Sequence, residues 1–331
     1  MSLATPYLLF LGDAPDMLAA KVALGVRQWR PGNCVGQLRM AGCKADCGLP
    51  DMDLAEAVAK GARTLVVGVA NRGGVIAPNW VAVLKAALEA GMDLAAGLHN
   101  RLADVPELAD AAAALGRALH DVRVPDRHYP IGNGVKRAGL RLLTVGTDCS
   151  CGKMYTSLAL EAEMRRRGRK ATFRATGQTG ILITGQGVPL DAVVADFMAG
   201  AIETLTPDNE PDHWDMVEGQ GSLMHPSFAG VTMALIHGAQ PDAMVICHEP
   251  TRSHMRGLPH YPVPSLRAVM DACLSAARLT NPAARFVGCA VNTAALDAAA
   301  AKASLAKYAA ETGLPTCDPV RTGVGPIVDA L

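Results

Sequence analysis

The sequence has no excess of charge of either sign: its 331 residues carry 31 Lys and Arg against 31 Asp and Glu, a formal net charge of zero. A nucleic-acid surface or a polybasic membrane patch calls for a basic excess, so neither partner is expected. Long apolar runs are missing as well. Charge or glycine interrupts each one before about 18 residues, which leaves no membrane-spanning segment. The N-terminal "MSLATPYLLFLGDAPD" has no basic leader and enters what reads as a first strand, so no signal peptide is expected. Paired cysteines are absent too: nine are scattered along the chain, and none forms a Cys-x2-Cys pair. Free thiols in a reducing cytoplasm are the expectation, and a metal site at Cys43 and Cys47 is rejected for want of a second ligand pair. Charged residues make up only 19% of the chain and hydrophobic ones 50%, which excludes disorder. The length suffices for two domains with cores of their own.

What is present is alternation. Short apolar segments at 7–12, 64–70, 141–146, 171–176, 215–219, 243–249 and 285–292 read as strands, with helical patterns at 16–29, 78–91 and 105–121 among them. Such alternation predicts an α/β fold with mostly parallel sheets. Proline and glycines break the pattern in "DRHYPIGNGVKRAGL" (126–140) before a fresh strand begins. The reading is a Rossmann-like α/β domain over 1–135, followed by a P-loop NTPase-like α/β domain over 136–331.

The stretch "VGTDCSCGKMYTS" (145–157) lacks one residue of a phosphate loop. A P-loop continues Gly-Lys-Ser or Gly-Lys-Thr, because that hydroxyl holds the magnesium of a bound nucleotide. Here Met154 follows Gly152 and Lys153, and a thioether is a poor ligand for a hard cation. Strand, loop and helix N-terminus still aim backbone N–H groups and the helix dipole at an anion, with Lys153 adding a point charge. A merely tight βα turn is the alternative. The phosphate-binding candidates are Gly146, Thr147, Asp148, Cys149, Ser150, Cys151, Gly152 and Lys153. Either no metal is used, or a shifted helix start lets Tyr155 or Thr156 supply the ligand.

The loop is similar to that of dethiobiotin synthetase, Gly-Thr-Asp-Thr-x-x-Gly-Lys-Thr. Gly146, Thr147, Asp148, Gly152 and Lys153 match at the same spacing, and only the last threonine is lost, to Met154. "VEGQGSLMHP" (217–226) resembles that enzyme's Glu-Gly-x-Gly-Gly segment, which implies Glu218 at a strand's carboxyl end beside the phosphates. "GCAVNT" (288–293) ends like the strand whose asparagine reads adenine in that superfamily. Asn292 is therefore either a purine contact or the cap of a strand-end turn.

Longer segments carry a more particular likeness. "GTDCSCGKM", "TGQTGILITGQGVPLDAVVADFMAGA", "EGQGSLMHP", "HGAQPDAMVICHEPTRSHMRG" and "YPVPSL" resemble a bacterial family that includes D-glutamate N-acetyltransferases. "FLGDAPDMLAAKVALGV" and "GVANRGG" extend the resemblance over nearly the whole chain. It implies transfer of the acetyl group of acetyl-CoA to the amino group of D-glutamate, with acetyl-CoA as co-substrate and no metal. Coenzyme A carries a pyrophosphate, a 3′-phosphate and an adenine, but its acyl transfer breaks a thioester. The phosphates then serve only as a handle, and no cation is needed to stabilise a departing phosphate. The likeness to dethiobiotin synthetase alone would imply an ATP- and magnesium-dependent ligase or kinase acting on a small carboxylic acid.

An amine must lose a proton before it attacks, so a base is wanted near the acceptor. The stretch 190–203 reads as helical and apolar; Asp191 fits first-turn capping, and Asp196, deeper among apolar neighbours, is a catalytic candidate. Glu218, His225 and His248 are the others, since strand ends in open sheets face the ligand crevice. A lone histidine also commonly serves as a hydrogen-bonded structural residue. The two carboxylates of D-glutamate call for arginines or backbone amides, which makes Arg72 and Arg252 substrate-binding candidates, with Glu249 beside Arg252. Cys149 and Cys151 either accept the acetyl group covalently or fill the loop; direct transfer in a ternary complex is the expectation. The expected partners are the two small-molecule substrates and further copies of the same chain.

Overall fold

The computed structural model describes residues 3–17, 19–71 and 74–331. Arg72 lies outside them. The first elements in chain order are β1 (Tyr7–Gly12), α1 (Lys21–Trp29), β2 (Cys34–Arg39), α2 (Leu54–Ala59), β3 (Thr64–Val67) and α3 (Pro78–Glu89). Then come β4 (Asp93–Ala96), α4 (Pro106–Leu115), β5 (Leu119–Asp121), β6 (Leu140–Gly146), α5 (Lys153–Arg166), β7 (Ala171–Arg174) and α6 (Gln178–Thr184). These are followed by α7 (Met198–Leu205), β8 (Trp214–Val217), α8 (Ala229–Ala239), β9 (Ala243–His248), β10 (His254–Met255) and β11 (Leu258–Pro262). The last are α9 (Leu266–Ala277), β12 (Arg285–Val291), α10 (Ala298–Thr312), β13 (Thr316–Cys317) and α11 (Gly325–Asp329). Among the described residues no helix is long and apolar enough to cross a membrane.

The chain forms two compact units. One takes the residues up to Asp126 together with Gly177–Ala192; the other takes Arg127–Thr176 and Val193–Leu331. In the first, five strands lie in the order β2-β1-β3-β4-β5, all neighbours parallel, a Rossmann-like sheet. All six residues of β1 are buried, as a parallel strand covered on both faces requires. The strand ends at Gly12, whose φ of +52° and close approach to the Trp80 indole, 3.0 Å from where a Cβ would sit, leave room for glycine alone. Gly25 in α1 similarly makes space for Ile183 and Thr179 of α6, so a helix drawn from the middle of the sequence completes this unit.

In the second unit six strands lie in the order β13-β12-β9-β6-β8-β7, again all parallel. β6 is central, flanked by β9 and β8; the chain runs from β6 to β7 and β8 on one side and then crosses through α8 to β9 on the other. The carboxyl end of β6 is therefore the switch point of an open α/β sheet, where ligands bind. A short antiparallel hairpin, β10–β11, follows β9.

Two helical expectations needed correction. The stretch 190–203 is not one helix: Leu190–Ala192 and Ala195–Phe197 are separate 3-10 turns, and α7 begins only at Met198. Between them Val194 is extended, with φ −59° and ψ 138°, which suits a β-branched residue. The pattern 105–121 ends as a helix at Leu115, where Gly116 takes the left-handed conformation, and the remainder becomes β5.

Candidate active site

The loop between β6 and α5 is shaped by backbone that side chains resist. Ser150 has φ +52° and Gly152 φ +107°, so the chain doubles back before Lys153 opens the helix. At Gly146 a Cβ would meet the Cys151 sulfur at 2.6 Å and Lys153 Nζ at 3.2 Å. Only glycine lets both groups lie against the strand end. Lys153 is 5% exposed; its Nζ donates to the Asp148 carbonyl at 2.8 Å and lies 3.6 Å from Cys151 Sγ. The ammonium thus spans its own loop.

Asp148 is buried and its carboxylate accepts from three donors. Oδ1 accepts the Cys149 N–H at 2.7 Å, and Oδ2 accepts from Arg252 Nη1 at 2.8 Å and from the Arg256 N–H at 2.9 Å. Arg252 also donates to the carbonyls of Cys149 (2.6 Å) and Ser150 (3.0 Å), and its Nε pairs with Glu249 at 2.8 Å. Four of its five N–H groups are therefore used within the protein. Glu249 in turn accepts from the Thr251 N–H and hydroxyl. The sequence marks Arg252 and Glu249 as substrate ligands; in the structure Arg252 binds the loop directly and Glu249 pairs with Arg252. Arg256, not singled out in the sequence, joins them through the Ser150 hydroxyl. Its place in "PTRSHMRG" was the available signal.

The loop's hydroxyls are spent as well. Thr147 Oγ1 and His248 Nδ1 share a hydrogen bond of 2.9 Å, and the Thr156 hydroxyl donates to the Gly152 carbonyl at 2.9 Å. Burial raises the Tyr155 phenol above its ordinary pKa, so it stays protonated.

Glu218 follows β8 directly and is 4% exposed. Its Oε2 accepts the Thr176 N–H at 2.9 Å, and the Thr176 hydroxyl donates back to its carbonyl at 2.7 Å. The next residue, Gly219, would place a Cβ 1.7 Å from the Thr144 carbonyl oxygen and 3.0 Å from Lys153 Cδ. This contact sets the β8 exit at Gly219 against the lysine stem. The same connection carries His225, 1% exposed, whose Nδ1 accepts the Ser227 N–H at 3.1 Å. A His225 ring nitrogen, Cys149 Sγ and an Asp148 carboxylate oxygen lie within 4.8 Å of one another. That spacing would suit a metal; in the structure Asp148 serves three donors and the His225 Nδ1 lone pair a fourth. Burial raises the Cys149 thiol above its usual pKa despite the opposing charge of Lys153, which disfavours an acetyl-thioester on this residue.

His248 ends β9 with both ring nitrogens occupied, Nδ1 by Thr147 and Nε2 by the Tyr308 hydroxyl at 2.9 Å. Burial lowers its pKa from 6.5 to about 4. Below pH 6.5 the unfolded chain takes up a proton that the folded ring refuses until about pH 4. The stability that His248 contributes is complete above the upper value and falls by about 3 kcal/mol as pH descends to the lower one. Urea titrations at pH of about 7 and about 4.5 should show this loss, with a smaller one in His248→Gln; equal losses would refute it.

Asn292 follows β12, donates its N–H to the His248 carbonyl at 2.8 Å and accepts the Ala294 N–H on Oδ1 at 3.2 Å. It is a turn cap, and its Cβ also lies 3.8 Å from the Cβ position of Gly152. Asp196 is different. It is exposed on its 3-10 turn, where the expected helix is interrupted. The structure therefore gathers the loop, Glu218, His225, His248, Arg252, Glu249 and Asn292 at the carboxyl ends of β6, β8, β9 and β12.

Residues 130–328 match the P-loop domain of DUF1611, described as a domain of unknown function, and residues 38–125 match its Rossmann-like N-terminal domain. A Tritonibacter scottomollicae protein named D-glutamate N-acetyltransferase is 64% identical over 327 residues, spanning 99% of this chain and 98% of its own. A Pseudoalteromonas protein of the same name is 47% identical over the full length of both chains. The crystal structure of a DUF1611 family protein from Anabaena variabilis is 35% identical, covers 99% of each chain and superposes with a TM-score of 0.84. With a P-loop at the switch point of its second sheet, and with these full-length likenesses, the chain belongs to the DUF1611 family.

Proposed function

We propose that the chain transfers the acetyl group of acetyl-CoA to the amino group of D-glutamate, giving N-acetyl-D-glutamate and CoA. The observation that carries this reading is a phosphate loop that keeps its Gly152–Lys153 anion cradle but has Met154 where a nucleotide site needs a hydroxyl. Full-length identity of 64% to a protein of that name supports the acceptor. In this reading the N–H groups at the start of α5 and Lys153 hold the phosphates of CoA, and Asn292 offers its amide to the adenine. Glu218 takes the proton of the attacking amine, oriented by the Thr176 N–H. The phosphates are not transferred, so no metal serves them. The nine cysteines, all unpaired, suit a reducing cytoplasm.

Release of CoA thiol from acetyl-CoA with D-glutamate, and the mass of the product, test the reading directly. Transfer should survive exhaustive EDTA treatment, and ATP should not be cleaved. Strict magnesium dependence, or ATP cleavage coupled to product formation, would replace the acetyltransferase with a ligase.

A further inference from the structure

We infer that His225 donates a hydrogen bond from Nε2 to the acetyl carbonyl oxygen of the bound thioester, so that it is a catalytic donor and not the base; this rests on the acetyl-transfer reading above. The tautomer follows from one contact. The Ser227 N–H can only donate, so the Nδ1 that receives it at 3.1 Å holds a lone pair, and the neutral ring carries its proton on Nε2. That Nε2 is buried and has no hydrogen-bond partner among the described residues. Buried donors are rarely left without an acceptor, and one that is left so beside a binding loop is explained by a ligand that supplies it.

The surroundings narrow the ligand atom. The ring sits with Asp148 and Cys149 at the phosphate loop, and the Phe228 ring lies 4.7 Å away, centroid to centroid. Asp148 already accepts from three donors, and Nε2 makes no hydrogen bond to it. The phosphates of CoA have a cation, Lys153, and the amides of the helix start. A neutral donor flanked by an aromatic ring suits an oxygen that is uncharged in the ground state and becomes an anion during attack, where a preorganised donor accelerates the reaction. Glu218 and His225 leave the same strand, so one connection supplies both base and donor.

The step balances with these groups. The amine nitrogen attacks the carbonyl carbon, a C–N bond forms, and the π pair moves onto the oxygen that faces His225 Nε2–H. Glu218 takes the proton from nitrogen. The oxygen pair then restores the carbonyl, the C–S bond breaks with its electrons on sulfur, and the proton passes from Glu218 to that sulfur, leaving the amide and CoA thiol.

The test compares His225→Gln, His225→Asn and His225→Phe by steady-state kinetics, calorimetric acetyl-CoA affinity and thermal melting. A glutamine amide N–H reaches about where Nε2–H lies, whereas asparagine falls short and phenylalanine has no donor. The glutamine variant should keep kcat within about tenfold of wild type, and the phenylalanine variant should lose about 10²-fold, with acetyl-CoA affinity retained. If the phenylalanine variant does not fold, glutamine must still exceed asparagine. Wild-type kcat in the phenylalanine variant overturns the inference, as does a glutamine variant no better than asparagine, which would indicate a base. A loss confined to acetyl-CoA affinity overturns it in favour of a phosphate contact. An inactive wild-type protein overturns the acetyl-transfer reading and this inference together; an active one with unaffected variants overturns this inference alone.

Discussion

Replacing Glu218 with glutamine should lower kcat by about 10²–10⁴-fold, the range of a lost general base, while acetyl-CoA affinity stays near that of the native protein. The amide has the shape of the carboxylate and still offers an oxygen to the Thr176 N–H, the contact that orients the side chain. It cannot accept the amine proton. The structure favours none of the competing candidates as the base. Both ring nitrogens of His248 are engaged, and its pKa near 4 leaves it a weak base at neutral pH. His225 carries its proton on the free nitrogen, and Asp196 is exposed. Steady-state kinetics with calorimetric binding of acetyl-CoA separate the two effects. A folded Glu218→Gln protein with native kcat would remove Glu218 as the base.

Lys153→Ala should weaken acetyl-CoA binding by about 1.5–3 kcal/mol, roughly a 10- to 150-fold rise in Kd, and leave the KM for D-glutamate nearly unchanged. The lysine is held 5% exposed, with its ammonium on the Asp148 carbonyl, so it meets a phosphate already positioned. Exchange of a carbonyl for a doubly charged oxygen cluster is favourable, and alanine forfeits it. Calorimetry of acetyl-CoA and desulfo-CoA binding gives the number. A selective rise in the D-glutamate KM would instead place Lys153 at the acceptor.

The two predictions differ in how far the sequence could have carried them. Lys153 is legible directly, because strand, loop and Gly-Lys are contiguous and the local pattern states its own geometry. Glu218 is legible only through its likeness to another enzyme's segment; the course of the chain just after it depends on Gly219 closing against Thr144, 75 positions earlier in the chain. Arg252 shows the limit. An arginine after a strand, among prolines and polar residues, reads the same whether it binds a substrate carboxylate or caps loop carbonyls. That Arg252 donates to 148–150, about a hundred residues upstream, is visible only in the folded chain.

Alternating apolar runs, proline and glycine breaks and the Gly-Lys loop were enough, within the sequence, to determine parallel α/β architecture, the strand–loop–helix around Gly152 and Lys153, and the methionine that stands where a P-loop has its hydroxyl. These are local properties: side-chain period, backbone permission and the chemistry of one residue. Tertiary structure alone decided that α6 packs with the first unit, that Asp196 lies in solvent, that His248 is locked between Thr147 and Tyr308, and which nitrogen of His225 bears its proton. Each depends on which distant group meets a given atom, and hydrogen-bond partners far apart in the chain leave no periodic trace in it.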